Sequence, residues 1–94
     1  MAVSIQNYIT ETKVFYSYSQ TESNCNTILF VNTGSSTVTI DGFSLTSGQS
    51  LSILGNRGEL NVKTYSFTFD PADQKTSLTV IYKRYVGWYF SIKL

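Results

Sequence analysis

The stretch Thr37-Val38-Thr39-Ile40-Asp41-Gly42-Phe43-Ser44-Leu45-Thr46 decides the fold class. Asp-Gly between two alternating runs is a strong short-range signal for a two-residue β-hairpin, because both loop residues must take positive φ. With Asp41-Gly42 as the loop, Ile40 falls opposite Phe43 and Val38 opposite Leu45, which puts four apolar side chains on one face. The other face carries only Thr and Ser. The expected unit is a sheet with one dry face and one hydroxyl-covered face.

Moving outward, Lys13 to Ser19 is β-branched and aromatic, and its alternation predicts a strand with Val14, Tyr16 and Tyr18 on one face. Thr21 to Asn26 is polar throughout and interrupts the pattern. Thr27 to Asn32 resumes it with four apolar residues in a row, the pattern of a strand buried on both sides or near the centre of a sandwich. Beyond the hairpin, Ser47-Gly48-Gln49 reads as a turn, and Leu51 and Ile53 alternate with serines, extending a meander. Gly55-Asn56-Arg57-Gly58 reads as a hairpin loop. Between Glu59 and Phe69 the apolar residues move from even positions (Leu60, Val62) to odd ones (Tyr65, Phe67, Phe69), so a bulge or a crossing between sheets is expected near Lys63-Thr64. Asp70-Pro71-Ala72-Asp73 has the order of a type I turn. Ser77 to Leu94 reads as two strands around Gly87 or one bent strand, and Met1 to Thr10, with Val3, Ile5 and Ile9, as a further strand. Within the tail, Tyr82, Val86, Trp88 and Phe90 are expected inside, with Lys83, Arg84, Tyr85 and Tyr89 outside.

No helical period is sustained anywhere. Seven or eight short strands with regular turn signals predict an all-β fold, a single antiparallel β-sandwich or small barrel spanning residues 1–94.

Only 14 % of the residues are charged, against about 25 % in ordinary soluble domains, while Ser and Thr supply roughly a quarter of the chain. Hydroxyls must therefore wet much of the surface. A net charge of +1 offers no concentrated basic surface for nucleic acid or an anionic membrane, and neither partner is expected. Met1 to Lys13 lacks the pattern of a secretory signal and no run of apolar residues is long enough to span a bilayer. Cys25 is the only cysteine, so no intramolecular disulfide is available and stability has to come from the core.

Histidine is absent, which removes the commonest general base and the usual zinc ligand. Cys25 has no histidine partner and lies between two uncharged asparagines, so it reads as structural or incidental. The carboxylates Asp41, Asp70 and Asp73 are accounted for by turn capping, and the acidic spacing of a calcium loop is missing. Gly55 to Gly58 lacks the order of a phosphate-binding loop. An enzyme is not expected, and neither cofactor nor metal is assigned. Aromatic side chains are the remaining candidates: Tyr16, Tyr18, Tyr85, Trp88 and Tyr89 are expected to line a contact, the tail serving core and contact together, because large amphipathic rings dominate interface energetics and also stack on sugars.

The residues Asn32-Thr33-Gly34, Val38 to Gly42, Leu45, Gly48-Gln49-Ser50, Leu51-Ser52-Ile53, the Gly-Asn-x-Gly-Glu loop at 55–59 and Tyr65-Ser66-Phe67 resemble those of small structural proteins of tailed bacteriophages. The resemblance covers Ile28 to Phe69. It implies a β-sandwich component of the virion, of the capsid-decoration, head-fibre or neck and tail accessory type, made in the host bacterial cytoplasm and without catalytic residues. Implied partners are other capsid or tail proteins and further copies of the chain. A carbohydrate-binding module, with exposed aromatics against a surface glycan, is the alternative expectation.

Overall fold

A computed structural model describes residues 7–70 and 74–86. They form eight strands: β1 (Asn7–Phe15), β2 (Ser19–Glu22), β3 (Thr27–Asn32), β4 (Thr37–Ile40), β5 (Phe43–Leu45), β6 (Ser50–Ile53), β7 (Thr64–Asp70) and β8 (Leu78–Val86). The all-β expectation holds. The readings on Met1 to Gln6, on Pro71 to Asp73 and on Gly87 to Leu94 lie outside the described residues.

The hairpin forms in the expected register, Val38 opposite Leu45 and Ile40 opposite Phe43. Asp41 and Gly42 have φ of 46° and 92°, as a type I′ turn requires. On the polar face Thr39 and Ser44 hydroxyls lie 3.2 Å apart. Phe43 departs from expectation: it starts the short edge strand β5 and remains 62 % exposed.

The wider topology is not a meander. β1 pairs with β8, β2 with β7, β3 with β6 and β4 with β5, all antiparallel. The two halves of the chain thus form one long ribbon whose tip is Asp41-Gly42. That ribbon is rolled so that β3 also pairs with β8 and β4 with β7. Two four-stranded sheets result, ordered β1-β8-β3-β6 and β2-β7-β4-β5, and every connection except β4–β5 passes from one sheet to the other. This is the arrangement of a jelly roll.

The roll explains several local differences from the sequence reading. β1 ends at Phe15, earlier than the expected strand, because Phe15 turns inward against Phe67 of the opposite sheet (ring centroids 4.9 Å apart). Val14, Tyr16 and Tyr18 are therefore exposed. Thr21 to Asn26 includes part of a strand and the crossing to β3, and Thr21, Ser23 and Asn26 are buried. Of the two positions expected for β3 the central one is found, between β8 and β6; only Ile28, Phe30 and Asn32 are completely buried, while Thr27, Leu29 and Val31 are half-buried on the outer face. Gly55 to Gly58 is a turn, closed by Glu59 N–H to Asn56 O at 3.0 Å, but it lies on a connection between sheets rather than in a hairpin. The expected change of phase is present: Leu60 and Val62 are exposed on that connection, and Tyr65 and Phe67 are buried once β7 joins the second sheet.

Between the sheets lie Cys25, Ile28, Phe30, Val38, Ile40, Leu45, Tyr65, Phe67, Leu78, Val80 and Tyr82. Edge-to-face pairs Phe15–Phe67 and Phe30–Tyr65 join the two layers, each contributing about 1 kcal/mol beyond area burial.

The connections themselves are pinned by buried polar side chains. Asn32, 1 % exposed, donates from Nδ2 to the carbonyls of Ser36 and Leu45, both at 2.8 Å, and accepts from Gly34 N–H at 3.0 Å. It thereby ties the β3–β4 connection to the end of β5. Gly34 has to be glycine, because a Cβ there would run into the backbone at Lys75 and Ser77. Among the described residues, every buried side-chain nitrogen or oxygen has a partner.

Candidate functional site

β1 and β8 run alongside each other from Asn7–Val86 to Phe15–Leu78 without interruption. The ladder places the surface aromatics at its two ends, and different elements hold each group.

At the Phe15 end, the chain leaves the first sheet and enters the second through Tyr16-Ser17-Tyr18. Burial of Phe15 on one side and pairing of Ser19 with Phe67 on the other leave the three residues between to bridge the layers in the open. Thr76 Oγ1 donates to the Tyr16 carbonyl at 2.5 Å and fixes the bridge to the segment just before β8. Tyr16 and Tyr18 are 66 % and 73 % exposed. With Ser17, Thr68, Phe69 and Thr76 they line an open groove of about 430 Å³. Among the described residues its walls are aromatic faces and hydroxyls, with neither a carboxylate nor a cation. That chemistry suits stacking and hydrogen bonding to a neutral polar ligand.

At the other end Tyr8 and Tyr85 face each other with centroids 4.9 Å apart, and Lys83 Nζ sits 4.2 Å from the Tyr8 ring centroid. Tyr85 was expected outside but is half-buried: its hydroxyl donates to the Glu59 carbonyl at 2.6 Å and so belongs to the packing of the β6–β7 connection. A second groove of about 380 Å³ is lined here by Tyr8, Asn26, Gly55, Arg57 and Lys83. The Asn26 amide is already used, its Nδ2 donating to Asn56 O at 2.7 Å and Glu59 O at 3.0 Å.

Tyr16 and Tyr18 therefore share one groove, whereas Tyr85 lies at the far end of β8, about 24 Å away along strands that rise roughly 3.4 Å per residue. Trp88 and Tyr89 lie outside the described residues. Sequence reasoning missed Thr68 and Phe69 of β7 and Thr76 of the segment before β8, all distant in the chain from Tyr16. The available signal was the polar alternation of Ser66-Phe67-Thr68-Phe69, but its neighbour could not be named without the strand order.

Arg84 also departs from expectation. Its side chain, only 19 % exposed, lies over the buried Tyr82 ring at 4.3 Å. Nε donates to Glu11 at 2.5 Å, and one terminal nitrogen donates to the carbonyls of Ser23 and Asn24 at 2.6 and 3.0 Å. The guanidinium thus closes the sandwich edge where Asn24, at φ 42°, turns the chain from β2 toward β3.

Cys25 is fully buried beside that turn. Desolvation pushes its thiol pKa upward, with Arg84 acting in the opposite direction. A buried thiol held protonated is a poor nucleophile. Among the described residues no three His, Cys, Asp or Glu side chains are grouped as metal ligands.

Comparison of the chain with protein-family models, with curated proteins and with solved structures returned no match.

Proposed function

We propose that this protein is a non-enzymatic structural component of a bacteriophage particle, which binds capsid or tail proteins or further copies of itself. The observation that carries the reading is the strand order, since jelly rolls are a recurrent architecture of viral capsid domains. Two features of the chain add to it: a surface wetted by hydroxyls rather than charges, and the resemblance of residues 28–69, which form β3 to β7, to virion proteins of tailed phages. In a lysate of the culture that produces the chain, the protein should band with intact particles in a density gradient and stay with them through a salt wash. Recovery solely from the soluble fraction would overturn the reading.

The Tyr16–Tyr18 groove favours a second reading, carbohydrate binding, which the same fold supports in lectin domains. A sugar would stack on a tyrosine face while Ser17, Thr68 and Thr76 hydrogen-bond to its hydroxyls. A glycan array that is positive for the native protein and negative for Tyr18→Ala supports this reading. An array without hits removes it.

A further inference from the structure

Four strands form the edges of the two sheets: β1 and β6 in one, β2 and β5 in the other. Three of them are short, β6 and β2 with four residues each and β5 with three. Shortness is a common protection against unwanted pairing. β1 is different. It has nine residues, its pairing with β8 is continuous and free of bulges, and it contains neither Gly nor Pro. Among the described residues it has a strand on one side only. It also exposes two aliphatic side chains, Ile9 at 49 % and Val14 at 43 %.

We propose that β1 is the pairing edge for a second copy of this chain, joined antiparallel about a two-fold axis at Thr12. The inference goes beyond the particle reading and does not depend on it. Charge complementarity selects the register. With Thr12 opposite Thr12 of the second copy, Glu11 falls opposite Lys13 and Lys13 opposite Glu11, giving two unlike pairs on the face that carries Phe15. Ile9 then meets Phe15, and Val14 meets Thr10. Registers that keep the faces matched differ by two residues in the sum of the paired positions. The nearest alternatives place Glu11 against Glu11 or Lys13 against Lys13, both unfavourable.

Charges on an edge strand can also serve only to repel other edges. The spacing argues against that role here, because Glu and Lys two positions apart around a central residue attract an identical strand in one antiparallel register. Glu11 remains available in that register: Oε1 accepts from Arg84, and a carboxylate can accept further bonds through its second oxygen. The joined edges create one continuous eight-stranded sheet and remove the longest free edge from each copy.

The test uses the full chain in two measurements. Light scattering coupled to size exclusion, across a concentration series, should give a dimer for the native protein and an about 10- to 100-fold higher dissociation constant for Lys13→Glu, which turns both unlike pairs into like ones. Register is read by cysteine cross-linking, with circular dichroism to confirm that each variant is folded. Thr12→Cys should form a disulfide-linked dimer on mild oxidation, since directly opposed Cα atoms on paired strands lie within disulfide range. Thr10→Cys, on the same face but opposed to Val14, should not. A native protein that is monomeric at every concentration overturns the proposal, as does equal cross-linking of the two cysteine variants or a Lys13→Glu dimer as tight as the native one.

Discussion

The hydroxyl of Thr21 on β2 and the phenol of Tyr82 on β8 meet at 2.5 Å inside the sandwich, joining the two sheets across 61 residues of sequence. Both residues are buried, 6 % and 0 % exposed, so neither group can turn to water if the other is removed. Tyr82→Phe is expected to cost about 1–2 kcal/mol, and Thr21→Val a similar amount, because each leaves one buried hydroxyl unpaired. The double variant should recover much of the combined loss. Urea unfolding of the four proteins measures the coupling, and purely additive losses would show that the contact contributes nothing of its own.

Asn32 carries a larger load. Its amide serves three backbone groups, two on the β3–β4 connection and one at the end of β5, and no apolar side chain can replace it. Asn32→Leu is expected to destabilise by about 3 kcal/mol or more despite its similar size, with the loss visible as a lower midpoint in denaturant.

Alkaline pH should weaken the fold through two acids. Burial raises the pKa of Cys25 above its ordinary 9.0 and that of Tyr82 above its ordinary 10.0. The folded protein therefore holds protons that the unfolded chain releases first. Their stabilising contribution is complete below pH 9, declines as the pH rises through the unfolded values, and is lost once the folded values are passed. A melting temperature that is flat near neutrality and falls from about pH 9 upward is expected. In Cys25→Ala the fall should begin about one unit later, near the ordinary value for tyrosine.

Folding kinetics should report on the tip of the roll. Pairing of β4 with β5 is local, whereas Ile28 meets Ile53 and Phe15 meets Leu78 only after long loops close. Such topologies fold in milliseconds to seconds. Gly42→Ala puts a Cβ at φ 92° and should cost about 1 kcal/mol. If the hairpin forms early, the loss appears mainly as slower refolding; stopped-flow measurement showing only faster unfolding would place its formation late.

Legibility in the sequence followed the range of the interactions. The register at Val38 to Leu45 was readable because it depends on two turn residues and simple alternation. The change of phase before Tyr65 was readable for the same reason. Burial of Thr21, Ser23 and Asn26 was not, since polar residues read as surface until their partners, Tyr82, Asn61 and Asn56, are brought near by the roll. Arg84 looked like a solvated cation because Glu11 is 73 positions away. The tyrosines of the candidate groove are visible as residues, but Thr68 and Thr76 can be added only once β7 and the segment before β8 are known to flank Tyr16 to Tyr18.

Asn7 sits opposite Val86 in the ladder, which brings the outer ends of the described ribbon within one strand spacing, about 5 Å, of each other. A short peptide could join these two positions and a new opening could be cut between Asp41 and Gly42. In that rewired chain β8 and β1 would become neighbours in sequence and form the local hairpin, while β4 and β5 would meet last. The same sandwich would then be reached from the opposite end, with its most distant native pairing turned into its nearest.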